Sequence, residues 1–292
     1  MLVNLDLRGY IPYRLRIAEN LKDPKMKPKL VIVGAAGRMG KHIVSLCTDT
    51  AQFEIIAAVE AQNHPDIGKD VGLVAGCAPA GVNITCDFPH AADLVIEFAL
   101  PDASDKTIEF CVEKKAALVM GTTGLSSQQK AKLQTAAKKI PIVYATNMSA
   151  GMNVLFNLVG KAAAMLGDDY DIEIVEQHHK FKKDAPSGSA LTLAENICKA
   201  TARDSAKCLV FGRHDKDALR KKGTIGIHAV RAGGIAGRHQ VIYSNAGETI
   251  TLGHIAHGRE GFAQGALLAA QWLIGKKPGL YSMADVLGLD VK

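Results

Sequence analysis

No two of the six cysteines (Cys47, Cys77, Cys86, Cys111, Cys198, Cys208) form a CxxC pair, and none joins a histidine at metal-ligand spacing. That excludes a zinc ribbon and a disulfide framework, and the thiols read as reduced core residues of a cytosolic protein. Aromatic residues make up only 5% of the chain. They are too few for an aromatic-rich sandwich core and leave no aromatic interleaving for a nucleic-acid groove. No run approaches the roughly 18 to 20 apolar residues of a membrane span, and the N-terminus lacks a signal-type apolar core. Nor does a helix pair carry a basic recognition face, which sets aside a DNA-binding sensor. The expectation is a cytoplasmic protein with no membrane, nucleic-acid or metal partner.

Apolar residues reach 48%, and 28 of the 292 residues are glycine. This suits close helix-on-sheet packing in two domains of α/β class. Between residues 30 and 145, short β-branched runs (30–33, 55–59, 94–98, 117–120, 142–145) alternate with helical stretches (39–47, 102–114, 127–138). The rhythm predicts a Rossmann-like, doubly wound parallel sheet. After Asn147 the pattern changes: helices at 153–166 and 189–200 flank a strand at 172–175. Alternating stretches at 225–230, 239–244 and 249–254, separated by glycine-rich turns, then predict an antiparallel meander, and a helix follows at 261–274. The second domain is therefore α+β with a mixed or antiparallel sheet. Residues 26–148 and 149–258 make up the two domains, and 1–25 stand apart as an N-terminal extension. Its Asp6, Glu19 and Asp23 argue against an organellar address.

The first chemical signal is Gly34-Ala35-Ala36-Gly37-Arg38-Met39-Gly40, with GxxGxxG spacing between a strand and a helix. Glycines there let backbone N–H groups approach a pyrophosphate at the positive end of the helix. Glu60 ends the next strand, 20 residues past Gly40, where a carboxylate accepts hydrogen bonds from the adenosine ribose. It would repel the 2′-phosphate of NADPH, and its neighbour Ala61 supplies no guanidinium to bind one. NADH is therefore expected to serve at least as well as NADPH. Two further loops, Gly121-Thr122-Thr123 and Ala145-Thr146-Asn147-Met148, follow strands at the carboxyl edge of the sheet and are read as lining the nicotinamide half.

The formal net charge of +6 is modest and its clusters are short. Arg220, Lys221 and Lys222 read as a solvated face. Lys180, Lys182 and Lys183 sit instead beside His178, His179 and the turn Ser187-Gly188-Ser189, between a strand and a helix. Adjacent histidines on an extended chain point apart and make poor ligands for one metal. A cationic proton donor beside hydroxyls and backbone N–H groups at a helix start suits an anionic small molecule such as a carboxylate.

Together the segments Gly34–Gly40, Gly121–Gly124, Glu176–Ser189, Gly223-Thr224-Ile225-Gly226 and Arg231-Ala232-Gly233-Gly234 resemble the 4-hydroxy-tetrahydrodipicolinate reductase family of lysine biosynthesis through diaminopimelate. The resemblance covers residues 29 to about 290. It implies reduction of a cyclic dicarboxylate with loss of water, using NADH or NADPH. A homotetramer built on the second-domain sheets is also implied, with residues 259–292 folding back onto the dinucleotide-binding domain. On matching positions it implies His178 as the acid/base residue and Lys182 as proton donor, with His179, Gly188, Ser189 and Arg231 on the substrate. The family usually has threonine where Ser189 stands, and the hydroxyl survives. Some relatives carry arginine at the position of Ala61 and a basic residue at that of Leu100, both associated with NADPH, and this chain has neither. Aspartate and homoserine dehydrogenases would share the glycine turn but not the segment from His178 to Gly188.

Overall fold

The computed structural model of the chain describes residues 27–289. The extension assigned to residues 1–25 lies outside the described residues, as do the last three positions. Two compact units are present. One runs to Thr146 and takes up Ala263–Val286, while the other comprises Asn147–Phe262 and resumes at Leu287.

In the first unit the order is β1 (Lys29–Val33), α1 (Arg38–Thr50), β2 (Glu54–Val59), α2 (Val71–Ala75), β3 (Ile84–Thr85), β4 (Leu94–Glu97), α3 (Pro101–Lys114), β5 (Ala117–Met120), α4 (Ser127–Ala136) and β6 (Pro141–Tyr144). The second unit contributes α5 (Ala150–Leu166), β7 (Asp171–His178), α6 (Gly188–Ala200), α7 (Ser205–Cys208), β8 (Leu209–Phe211), β9 (Ile225–Arg231), β10 (Gly237–Ser244) and β11 (Thr249–Ala256). Helix α8 (Glu260–Leu273), β12 (Gly279–Tyr281) and α9 (Met283–Leu287) follow.

The seven-stranded sheet is parallel throughout, in the order β12-β6-β5-β4-β1-β2-β3. All four residues of β4 and of β5 are buried. A parallel sheet covered on both faces requires such continuous apolar runs in place of alternation. Local signals set the helix starts: Pro101 opens α3, where its missing N–H costs nothing, and Ser126 with Gln129 forms a full capping box on α4. The chain enters at β1 and goes to β2 on one side and β4 on the other. This reversal brings the loops after β1 and β4 together at the carboxyl edge, where open α/β sheets bind ligands.

The second sheet has the order β11-β10-β7-β9-β8 and is mixed. Strands β10 and β11 form the expected antiparallel hairpin, but the meander stops there: β9 pairs parallel with β7 and with β8. Alternation reveals a half-buried strand without revealing its partner, and β7, the central strand, separates β9 from β10. Strand β7 alternates strictly, burying Ile172, Ile174, Glu176 and His178 and turning Asp171, Glu173, Val175 and Gln177 outward. The buried face packs with α5 and α6 around Leu193, Ile197, Val241 and Tyr243. Strands β3, β8 and β12, of two or three residues, and the five-residue helix α2 were not anticipated, because elements so short carry no periodicity.

Candidate active site

In the first unit the glycine turn is shaped by close backbone approach. Gly34 has φ +77°, and a Cβ there would lie 2.6 Å from the Phe98 carbonyl oxygen; one on Gly40 would lie 2.1 Å from the Gly34 carbonyl oxygen. Neither position tolerates a side chain without moving the backbone. Gly37 is the N-cap of α1, and Arg38 and Met39 open its first turn, where N–H groups have no helical acceptor. Ala35 and Ala36 are buried beneath the turn. Glu60 follows β2, and its carboxylate accepts the Ala36 N–H at 2.9 Å and the Ala61 N–H at 3.3 Å. One of the turn's N–H groups is therefore committed to Glu60 and not left for a phosphate. The rest of the set, helix-start N–H groups beside a carboxylate, fits a dinucleotide.

The loop after β5 is anchored from below. A Cβ on Gly121 would run into the Phe98 ring at 2.2 Å. Thr122 is buried and donates its hydroxyl to Glu97 Oε1 at 2.8 Å, an oxygen that also accepts from Ser104 at 2.6 Å. Thr123 is exposed. After β6, Ala145 donates its N–H to Met120 and Thr146 is exposed. Asn147 and Met148 fall in the second unit. Asn147 donates to Ser189 Oγ at 3.1 Å and accepts the Ser149 N–H at 2.9 Å, and Met148 is buried. Of the residues expected to line the nicotinamide half, these two are tied to the start of α5 and α6.

The second unit gathers its chemistry around Glu176, which is wholly buried. Register explains the gathering: Glu176 lies opposite His239 of β10, and His178 lies opposite Arg231 of β9. The Glu176 carboxylate meets His178 Nδ1 at 2.5 Å and both Arg231 Nη atoms at 2.7 and 2.8 Å, and accepts the Ser187 N–H at 3.0 Å. Burial alone would raise this carboxyl, but Arg231, His178 and the Ser187 N–H outweigh it and hold it below the usual range. Burial lowers His178 against the pull of Glu176. With Nδ1 on the carboxylate, His178 keeps Nε2 as its port for a proton. The His239 ring meets His178 edge-on at 5.1 Å, and burial brings it down to about 4.

Around this hub, Lys182 is half-buried with Nζ 2.9 Å from Asp184 Oδ1, while Lys180 and Lys183 are exposed. His179 is half-buried, and its buried Nδ1 has no hydrogen bond. Ser187 caps α6 by accepting the Ala190 N–H at 3.2 Å, which leaves Gly188 and Ser189 in the first turn; Gly188 is exposed. His178, His179, Lys182, Gly188 and Ser189 thus all belong to the end of β7, the loop after it and the first turn of α6. Arg231 sets its Nη atoms on Glu176 and on the Asp184 carbonyl at 2.6 Å, and so organises the site from β9.

Glu176, Ser187 and His239 carry the network, yet the sequence assigned Glu176 and His239 no role and Ser187 only a general one. Glu176 stands two residues before His178, a spacing that puts both on one face of a strand, and that was the available signal. The solvated-face reading of Arg220 also needs correction. Arg220 is half-buried and bonds Glu173 at 3.0 Å and Asp171 at 2.6 Å, because Arg213, Arg220 and His228 converge on Glu173 and hold it down to about 2 against its burial. Lys221 and Lys222 are exposed. Among the cysteines, Cys86 is exposed and not part of a core, and all six are free thiols. No group of three or more metal-ligating side chains occurs among the described residues.

The families described as dihydrodipicolinate reductase, N-terminus, and dihydrodipicolinate reductase, C-terminus, match residues 28–148 and 151–287. The chain is 47% identical over 264 residues to a 4-hydroxy-tetrahydrodipicolinate reductase of Anaeromyxobacter dehalogenans, covering 89% of this chain and 98% of that one. It is 43% identical over 267 residues to the enzyme of that name from Alkalilimnicola ehrlichii, covering 90% and 100%. Its fold is similar to that of a dipicolinate-bound dihydrodipicolinate reductase from a Paenisporosarcina species, with a TM-score of 0.70, 22% identity, and 89% and 99% of the two chains covered.

Proposed function

The chain belongs to the dihydrodipicolinate reductase family, and from that premise we propose how its residues divide the reduction of 4-hydroxy-tetrahydrodipicolinate to tetrahydrodipicolinate. The turn from Gly34 to Met39, Glu60 and the loops at 121–123 and 145–148 would hold the nicotinamide dinucleotide, which would supply a hydride. The chain's own residues bind the dicarboxylate and handle protons. The first-turn N–H groups of Gly188 and Ser189, the Ser189 hydroxyl and His179 take a carboxylate. The ring loses its hydroxyl as water. The conjugated carbon–nitrogen system left behind would take the hydride at carbon and then a proton, which together complete the two-electron reduction. Lys182 donates that proton. His178 acts as acid or base through Nε2, because Glu176 occupies Nδ1. Arg231 holds Glu176 ionised and so fixes the ring.

The observation that carries this reading is the Glu176 hub, which joins the proton-bearing His178 to the cap of the anion-binding helix through one buried carboxylate. The test is a coupled assay in which dihydrodipicolinate synthase makes the substrate from pyruvate and aspartate semialdehyde, with NADH and NADPH consumption followed separately. Consumption that depends on the synthase supports the reading; NADH binding without consumption overturns it.

Within this reading NADH is used at least as well as NADPH. The support is the Glu60 carboxylate at the turn, with no guanidinium at Ala61 or Leu100. The second unit serves as the substrate-binding and tetramerisation domain. One sheet face there exposes Val230 and Ile255, in one row across β9, β7, β10 and β11, and light scattering should give about four times the 31.0 kDa chain mass. No described helix is long and apolar enough to cross a membrane. Six free thiols fit action in the cytoplasm.

A further inference from the structure

Two histidines stand side by side on neighbouring strands, His239 on β10 and His254 on β11. Each meets the hydroxyl of a serine that caps a helix. His239 Nε2 lies 3.0 Å from Ser187 Oγ, the N-cap of α6, and His254 Nε2 lies 3.4 Å from Ser149 Oγ, the N-cap of α5. Each hydroxyl also accepts a helix-start N–H, from Ala190 at 3.2 Å and from Met152 at 3.3 Å. Asn147 joins the cap of α5 to the first turn of α6, donating to Ser189 Oγ and accepting the Ser149 N–H. A bracket of hydrogen bonds therefore spans the starts of both helices and is held at each end by a histidine.

His239 is 6% exposed, and the Nδ1 atoms of both histidines are buried without a hydrogen bond. Packing alone would favour apolar side chains at such positions, since an unpaired buried polar atom forfeits its hydration. Among the described residues, the one polar bond that the His239 ring makes is to Ser187. Burial keeps that ring neutral, the state in which its Nε2 can pair with a hydroxyl already accepting from the helix. Ser187 is also where the Glu176 hub touches α6, through its N–H.

We propose that His239 is a positioning residue for the dicarboxylate site, fixing the first turn of α6 through Ser187, with His254 bracing the same turn through Ser149 and Asn147. The inference rests on reading that turn as the carboxylate site. The test is calorimetric titration of pyridine-2,6-dicarboxylate into the full chain saturated with NADH. His239→Leu and Ser187→Ala should each weaken binding by about tenfold, the yield of one well-placed hydrogen bond. Their combination should weaken it no further, since both remove one interaction. His239→Gln, whose amide reaches the Nε2 position, should stay within about threefold of the parent, and His254→Leu, at the longer contact, should lose about threefold. NADH affinity should not move in any variant. A merely structural role would lower NADH and dicarboxylate affinity together and would not be rescued by glutamine, and that outcome overturns the inference. Parental binding by His239→Leu overturns it alone, whereas a parent chain that binds no dicarboxylate overturns the reading of the site as well. Should His239→Leu not fold, Ser187→Ala decides.

Discussion

In the first unit the residues that shape the candidate site are chiefly those without side chains: Gly34, Gly37, Gly40 and Gly121 let backbone and helix N–H groups come close. The second unit does the opposite. There a wholly buried carboxylate, Glu176, is shared among an imidazole, a guanidinium and a helix-start N–H drawn from separate elements. Geometry made by absence fails when bulk is added, and geometry made by buried charge fails when a partner is removed. The division matches the chemistry: a dinucleotide needs a shaped edge, whereas a proton in transit needs groups whose charge state is set by neighbours.

The sharpest separation should come from Lys182→Ala, which removes the proposed proton donor. Turnover should fall by about a hundred- to a thousandfold, within the usual contribution of general acid catalysis. NADH affinity, read by fluorescence titration, should hold. Glu176→Gln should cost about 3 kcal/mol in urea unfolding, because it leaves Arg231 without its carboxylate in a half-buried site. NADH affinity should again hold; a parallel loss would erase the distinction between the units.

The stability of the second unit should also depend on acid. His239 is held down to about 4 from an ordinary 6.5, so between those values the unfolded chain takes up a proton that the folded chain refuses. Stability is therefore full above pH 6.5 and declines as pH falls toward 4, by up to about 3 kcal/mol from this ring. His178, also lowered by burial, acts in the same direction. Denaturant curves taken across that window should flatten in His239→Gln.

Smaller effects test the first unit. Gly40→Ala should weaken NADH binding by about tenfold, because its Cβ would press on the Gly34 carbonyl and shift the turn. Glu60→Ala, which removes the carboxylate proposed to face a 2′-phosphate, should move the ratio of kcat/KM values toward NADPH by about fivefold, the scale of a partly exposed charge contact.

The same contrast explains how far the sequence could be read. The glycine turn, Glu60 and the parallel strands are local patterns in which a fixed spacing or a short continuous apolar run carries the information. His178, Lys182 and Ser189 lie within one continuous segment and could be proposed together from it. Glu176 and Arg231 are 55 residues apart, and Ser187 and His239 are 52 apart. What joins them is the sheet order β10-β7-β9, and alternation within each strand does not encode which strands are neighbours. For that reason the stretch at 225–230 was expected beside β10 in a meander, whereas β9 pairs with β7, and the pairing of Glu176 with Arg231 was not anticipated.

The most direct measurement is transfer of label from C4-deuterated NADH during turnover with substrate generated in situ. A single deuteron in the reduced ring, in step with NADH oxidation, is the predicted result. Oxidation of NADH with no label in the product would contradict it.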